Sequence, residues 1–298
     1  VPNLLGETSG MMAFVRTVEA GSFSAAARDL NTTPSAVSKS VAKLEKRLGT
    51  RLFLRSTRAL KLTQDGQSFF DRVAPLLKQL DSSDEALTEQ TEPSGRLRIS
   101  MPHDMAPLVL PRLFGRFAQT HPLLDLDIGL TDRYVDLIRE DYDVVLRVGE
   151  PAEKDLMVRS LAVLPTVLVA SPSFIDSSGM PDSVEALKTL PFVRYSMNGQ
   201  LSSLTSQDGV SFTPSGRVNA DSGTALIHAA SEGLGIAWLL RCLVAEELRS
   251  GKLVELTPPM PLAKASFNAL HAFGFTVPTR VRLFCDYMAK EAKSLAEM

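Results

Sequence analysis

Ser24-Ala25-Ala26-Ala27-Arg28-Asp29-Leu30, then Asn31-Thr32-Thr33, then Pro34-Ser35-Ala36-Val37-Ser38-Lys39 is the stretch that decides how this chain reads. Its first part is a short Ala-rich helix. The middle is a three-residue turn, and the last part opens an amphipathic helix that continues to Leu48. Thr33 is a favourable N-cap, and Pro34 falls at the first helical position, where a missing N–H costs nothing. Val37, Val41, Leu44 and Leu48 recur at spacings of 4, 3 and 4, which makes one apolar stripe. At about 100° per residue, the opposite face carries Ser35, Lys39, Ala42, Lys43 and Lys46. Small side chains let a helix approach a groove closely, and long cations reach phosphates and guanine edges. After Gly49 comes a basic segment, Arg51-Leu52-Phe53-Leu54-Arg55-Ser56-Thr57-Arg58. Two helices about a short turn with a basic segment behind them predict a winged helix-turn-helix, and double-stranded DNA as its partner.

The charge distribution agrees. From Lys39 to Lys61 there are eight Lys or Arg and one acid, Glu45, a net of +7. Residues 1–90 hold twelve basic and ten acidic side chains, and the whole chain of 298 residues carries −2. The positive charge is local, as an electrostatic footprint should be. A basic helical face alone is more often a solvated surface; here it comes with a cap, a turn, an apolar stripe and a basic wing in order.

These same residues resemble a known family. Phe14, Gly21-Ser22-Phe23-Ser24, Ala26-Ala27, Leu30, the run from Pro34 to Lys39, Leu44-Glu45, Leu48-Gly49, Leu52-Phe53, Arg55, Arg58, Leu62-Thr63 and Gly66 match the N-terminal domain of LysR-type transcriptional regulators. What precedes Met11 lies outside that pattern, and Val1 to Gly10 read either as a disordered lead or as residues foreign to the natural chain. The resemblance implies an N-terminal all-α winged helix-turn-helix over 11–66 and a long linker helix over 67–90. It further implies a C-terminal α/β two-lobed effector domain, like periplasmic solute-binding proteins, over 91–298. Together with the helix-face geometry it points DNA contact to Pro34, Ser35, Ala36, Ser38, Lys39, Lys43 and Lys46, and to Arg55 and Arg58 in the wing. Homodimers or homotetramers, a small-molecule effector and possible contact with RNA polymerase are further implications.

From Thr63 to about Gln90 the pattern is one helix. Leu62, Phe69, Val73, Leu76, Leu80 and Leu87 fall at spacings of 7, 4, 3, 4 and 7, a coiled-coil seam broken at Ser83. Either the stripe packs on a neighbouring domain or it pairs with a second copy. Pro75 predicts a kink. Thr91-Glu92-Pro93-Ser94-Gly95 reads as a hinge.

Beyond it, short β runs alternate with helices, which argues for parallel α/β sheets. Strands are expected at Leu97–Met101, Leu124–Gly129, Val144–Val148, Leu164–Ala170, Phe192–Tyr195, Gly216–Asn219, Ile236–Trp238 and Phe267–Ala272. Helices are expected at Leu108–Gln119, Val135–Glu140, Ser183–Leu187, Thr224–Glu232, Arg241–Arg249 and Thr279–Glu297. By the resemblance, lobe one is 96–163 with 265–298 and lobe two is 164–264, with a ligand in the cleft. Ligands of open α/β sheets bind beyond the carboxyl ends of strands, at helix starts. That selects the stretch Ser100 to Asp104, then Thr131, Arg147 to Gly149, Ser196 to Gln200 and Asp221 to Thr224, and within these Ser100, Met101, Pro102, His103, Thr131, Arg147, Val148, Gly149, Ser196, Asp221 and Ser222 are the candidate effector contacts. Arg147 either pairs with a ligand carboxylate or with Asp143 or Glu150; an anionic or polar organic metabolite is the expected ligand. His103 is either a surface residue or an effector contact.

Other classes find less support. The four histidines, His103, His121, His228 and His271, show no metal-ligand spacing. Gly233-Leu234-Gly235 follows a helix and precedes a strand, the wrong order for a dinucleotide site, so no cofactor is expected and a helix C-cap is the better reading. Cys242 and Cys285 make no disulfide framework, and Cys285 lies on an apolar stripe with Val281, Phe284 and Met288, a packing position. No nucleophile-elbow pattern occurs. The longest apolar runs, such as Leu161 to Ala170, are too short to span a bilayer, and Val1 to Gly10 is polar, so a cytoplasmic protein without a membrane partner is expected. The alternative is a two-lobed solute-binding or enzymatic protein with an incidental N-terminal domain. It asks for an export leader or a catalytic set, and the sequence suggests neither.

Overall fold

The computed structural model describes residues 7–54, 60–87, 92–133, 135–137, 139–151, 156–197, 199–257, 260–274 and 277–298, without the side chains of 78–87. The chain divides into two compact units. One comprises Val1–Thr91, Val135–Asp143 and His271–Thr279, the other Glu92–Tyr134, Val144–Leu270 and Arg280–Met298.

The first unit opens with α1 (Thr8–Glu19), α2 (Phe23–Asp29) and α3 (Pro34–Leu48). Ser22 Oγ accepts from the Ala25 amide at 3.1 Å and Thr33 Oγ1 from the Ala36 amide at 3.2 Å, so both helices of the turn motif are capped by side chains. Between them Asn31 adopts φ 49°, a left-handed conformation that asparagine tolerates better than most residues. Gly49, at φ 72°, ends α3. A two-stranded wing follows, β1 (Phe53–Leu54) antiparallel to β2 (Lys61–Leu62), and then α4 (Gln64–Leu87). Phe14 is the centre of the core, with ring centroids 5.3 Å from Phe53, 5.6 Å from Phe69 and 6.4 Å from Phe70. Gly66 lets α4 pass under the wing, because a Cβ there would lie 2.1 Å from the Leu52 carbonyl oxygen.

Residues 7–10 are not a loose lead. Glu7 is only 3% exposed and its Oε1 meets Lys43 Nζ at 3.3 Å and Arg47 Nη1 at 3.0 Å. Gly10 is buried in α1, where a Cβ would sit 3.2 Å from the Ser40 carbonyl oxygen. The expected seam of α4 also divides. Phe69 packs against the unit's own core and Val73 is buried in it, whereas Leu76 is 57% exposed. Leu80 and Leu87 lie outside the described side chains.

The elements that follow are β3 (Gly95–Met101), α5 (Ala106–Arg112) continued by a π-helical turn and α6 (Ala118–Thr120), β4 (Leu124–Leu130), β5 (Val144–Val148) and β6 (Met157–Leu164). Next come β7 (Thr166–Ala170), α7 (Pro172–Ser178), α8 (Val184–Thr189), β8 (Phe192–Met197), β9 (Gln200–Leu201), β10 (Leu204–Thr205), β11 (Ser211–Phe212) and β12 (Val218–Ala220). The chain ends with α9 (Gly223–Ser231), β13 (Ile236–Leu240), α10 (Ala245–Arg249), β14 (Val254–Leu256), β15 (Ala265–His271) and α11 (Thr279–Ala296). One sheet has the order β4-β3-β5-β15-β6 and the other β12-β8-β13-β7-β14.

The sheets are mixed rather than parallel. β3 runs parallel to β4 and β5, and β8 parallel to β12 and β13, but β15 is antiparallel to β5 and β7 antiparallel to β13 and β14. The expected strand Leu164–Ala170 is the end of one strand and the whole of another. Pro165, which has no N–H to give a ladder, separates β6 in the first sheet from β7 in the second. The expected helix Val135–Glu140 does not form among the described residues. Asp136 Oδ1 accepts from the Arg139 amide at 3.1 Å and Asp141 turns to φ 56°, local bonding that competes with a helix.

Candidate DNA-recognition helix and effector cavity

In α3 the stripe is 1%, 2% and 0% exposed at Val37, Val41 and Leu44, so the helix is fixed against α1 and α2 by one face. Pro34, Ser35, Ala36, Ser38, Lys39, Lys43 and Lys46 are all exposed. Lys43 pairs with Glu7, whereas Lys39 and Lys46 make no ion pair among the described residues. Arg55 and Arg58 lie outside the described residues. Glu45, counted from the sequence only as a charge, anchors the wing. Its Oε1 accepts from the Leu52 amide at 2.7 Å and the Phe53 amide at 3.1 Å.

In the second unit a cavity of about 220 Å³ lies between the two sheets. Pro102, Asp104, Met105, Asp132, Arg147 and Val148 line it on the side of the first sheet, and Tyr195, Met197, Gly223, Leu239, Leu240 and Leu243 on the side of the second. Of the expected stretches, Pro102, Asp104, Arg147, Val148, Met197 and Gly223 are on its wall, and of the named candidate contacts Pro102, Arg147 and Val148. Ser100 and Met101 are fully buried at the end of β3. Thr131 contributes its carbonyl to Arg147 Nη1 at 3.3 Å, and Gly149, at φ 95°, gives its carbonyl to Ser266 Oγ at 2.8 Å. Ser196 sits between two wall residues of β8, and the period of two turns it to the other face. Asp221 is exposed. His103 is exposed and paired with Asp132, Nδ1 to Oδ2 at 3.1 Å, and its amide donates to Oδ1 at 3.1 Å.

Asp104 closes the expected stretch Ser100 to Asp104, but no role was assigned to it from sequence. It sits on a 3₁₀ turn after β3, and its carboxylate reaches the start of α9. Oδ1 accepts from Ser222 Oγ at 3.2 Å, the Thr224 amide at 3.1 Å and Thr224 Oγ1 at 3.1 Å, and Oδ2 accepts from the Gly223 amide. A helix N-terminus favours an anion, through its unpaired amides and its dipole. A Cβ at 223 would be 2.8 Å from Asp104 Oδ2, so a side chain there would displace the carboxylate from its present position. The only sequence signal for this contact was an acid at a strand end.

Arg147 extends along the wall with Nη1 donating to the Thr131 and Leu146 carbonyls, at 3.3 and 3.2 Å, and Nη2 to the Arg133 carbonyl at 2.9 Å. Burial first, then the charges of Asp132, Asp104 and Asp221, push the Tyr195 hydroxyl up to about 12, with Arg147 opposing. Tyr195 therefore keeps its proton at neutral pH and can donate or accept within the cavity. Among the described residues no cluster of His, Cys, Asp and Glu could hold a metal ion, and no helix is long and apolar enough to cross a membrane.

Comparison with known proteins adds to this geometry. Residues 9–67 match the family model described as a bacterial regulatory helix-turn-helix protein of the lysR family, and residues 90–293 match the LysR substrate binding domain. The chain is 33% identical over 286 residues to the uncharacterized HTH-type transcriptional regulator YhjC of Escherichia coli K12, covering 94% of this chain and 95% of the relative. It is 30% identical over 296 residues to the HTH-type transcriptional activator AaeR of the same organism, covering 97% and 96%. The solved structure of CrgA, a LysR-type transcriptional regulator from Neisseria meningitidis, superposes with a TM-score of 0.60 at 30% identity, covering 95% of this chain and 98% of that one.

Proposed function

The chain belongs to the LysR family of bacterial transcriptional regulators, and from that membership we propose that α3 lies in a major groove while the cavity between the sheets takes the effector. The observation that carries the first part is the exposed face of α3. Seven side chains named from the sequence lie on it, the apolar stripe is buried behind it, and Lys39 and Lys46 are without ion pairs among the described residues. Ser38 and Lys39 are then the base readers, Lys43 and Lys46 the phosphate contacts, and Arg55 and Arg58 the wing contacts to the adjacent minor groove or its backbone. In this reading residues 11–66 are the DNA-binding domain, 67–90 the linker helix and 91–298 the effector domain, with lobes at 96–163 with 265–298 and at 164–264.

The cavity supports binding rather than catalysis, because its wall is mostly aliphatic, with Leu239, Leu240, Leu243, Met105, Met197 and Val148 around few polar groups. Two copies joined through α4 would set two recognition helices on successive turns of DNA. An effector in the cavity would then alter subunit geometry, and with it DNA bending or contact with RNA polymerase, in the cytoplasm. The test is a mobility shift with the DNA upstream of the chain's own gene. A discrete complex at concentrations that leave random DNA of equal length unshifted is expected, and equal shifting of both would overturn sequence-specific recognition.

A further inference from the structure

Asp104 occupies the place that an acidic ligand would seek. The α9 N-terminus faces the cavity, since Gly223 is on the wall, and its donors already converge on this one carboxylate. Resting on the reading of the cavity as the effector site, we propose that Asp104 is its specificity-determining residue. It acts as a built-in anion that fills the helix N-terminus, so that the cavity accepts an uncharged, largely apolar ligand with a hydrogen-bonding group and turns away carboxylates.

The wall supports this. A second carboxylate, Asp132, stands on the same side of the cavity, so an incoming anion meets two negative charges at short range in a partly buried site. The cation on the wall, Arg147, already donates to three backbone carbonyls, so its guanidinium is held along the wall. The Tyr195 hydroxyl keeps its proton and suits a neutral carbonyl or hydroxyl partner. Of the anionic or polar organic metabolite expected from the sequence, the wall thus favours the uncharged kind. The same bonds make Asp104 a tie between the two lobes, because it stands beyond β3 of one sheet and its partners precede or begin α9, which packs on the other.

The test is calorimetric titration of the full-length protein with phenylacetamide and phenylacetate, a neutral and an anionic probe of nearly the same shape. Wild type should bind the amide more tightly. Asp104→Asn keeps the shape and an accepting oxygen without the charge, and Asp104→Ala vacates the donors. Both should shift the preference toward phenylacetate by about tenfold or more. Wild-type preference for the acid, an unchanged ratio in both variants, or failure of Asp104→Ala to bind phenylacetate would each overturn the proposal. Leu243→Trp, which fills the wall, separates this from the cavity assignment itself. Undiminished amide binding by that variant would move the site elsewhere, whereas lost binding with an unchanged ratio in the Asp104 variants would count against Asp104 alone.

Discussion

Glu45 holds the base of the wing with one carboxylate oxygen, which receives two backbone amides from the residues that lead into β1. Hydrogen bonds to a charged acceptor contribute about 1.5–3 kcal/mol, and leaving the amides unpaired adds to the loss. Glu45→Ala should therefore destabilise the winged unit by about that amount, read as a lower urea midpoint, while Lys46→Ala should leave it unchanged. Equal midpoints for wild type and Glu45→Ala would show that the wing stands without this anchor. At Tyr195 the folded-state value lies above the ordinary value of 10.0, at about 12. Below 10 both states hold the proton; between about 10 and 12 the unfolded chain loses it first, so stability falls as pH rises through that window. Tyr195→Phe should flatten part of this fall. Cys242 and Cys285, raised by burial to about 11, contribute the same slope to both proteins and cancel in the difference. Identical pH profiles would contradict the assignment.

Among the elements, α4 was read as a seam with two possible partners, a neighbouring domain or a second copy. Its first half packs by Phe70, Val73, Ala74 and Leu77 on its own unit, and Leu76 points out at 57% exposure. Leu76→Glu therefore buries no charge in the monomer, and under the dimer proposal it places one in an apolar interface, which is strongly unfavourable. Sedimentation of the full chain should show a weakened dimer with an unchanged fold; an undisturbed oligomer would remove α4 from the interface. The turn motif and α3 were legible because caps, stripe and charge coincide within a few residues: Thr33, Pro34, Val37 and Lys39 each say the same thing. The sheets were legible as alternation, but their mixed direction was not. Strand polarity depends on where the chain crosses between lobes, and a single proline at 165 between two apolar runs looks like one strand. The cavity wall was the least legible part. Strand-end placement marked the stretches that hold Pro102, Asp104, Arg147, Val148, Met197 and Gly223, but the role of Asp104 became visible only when folding brought it to an amide group 119 positions away.

For the whole molecule, a chain of net charge −2 is proposed to hold DNA through a segment of net +7, so affinity rests on where the charge sits and not on its total. Phosphate contacts hold any duplex, whereas base-edge contacts and the shape of the duplex tell one sequence from another. Ser35, Ser38 and Lys39 are exposed behind the Thr33 cap of α3, and base reading is proposed for that end of the helix. The most direct measurement is the affinity of wild type and Lys39→Ala for the operator and for a random duplex of equal length, by fluorescence anisotropy at one fixed salt concentration. A loss of about 1–3 kcal/mol on the operator, with a clearly smaller loss on random DNA, is the predicted result. Equal losses on the two duplexes, or no loss on either, would contradict base recognition by α3.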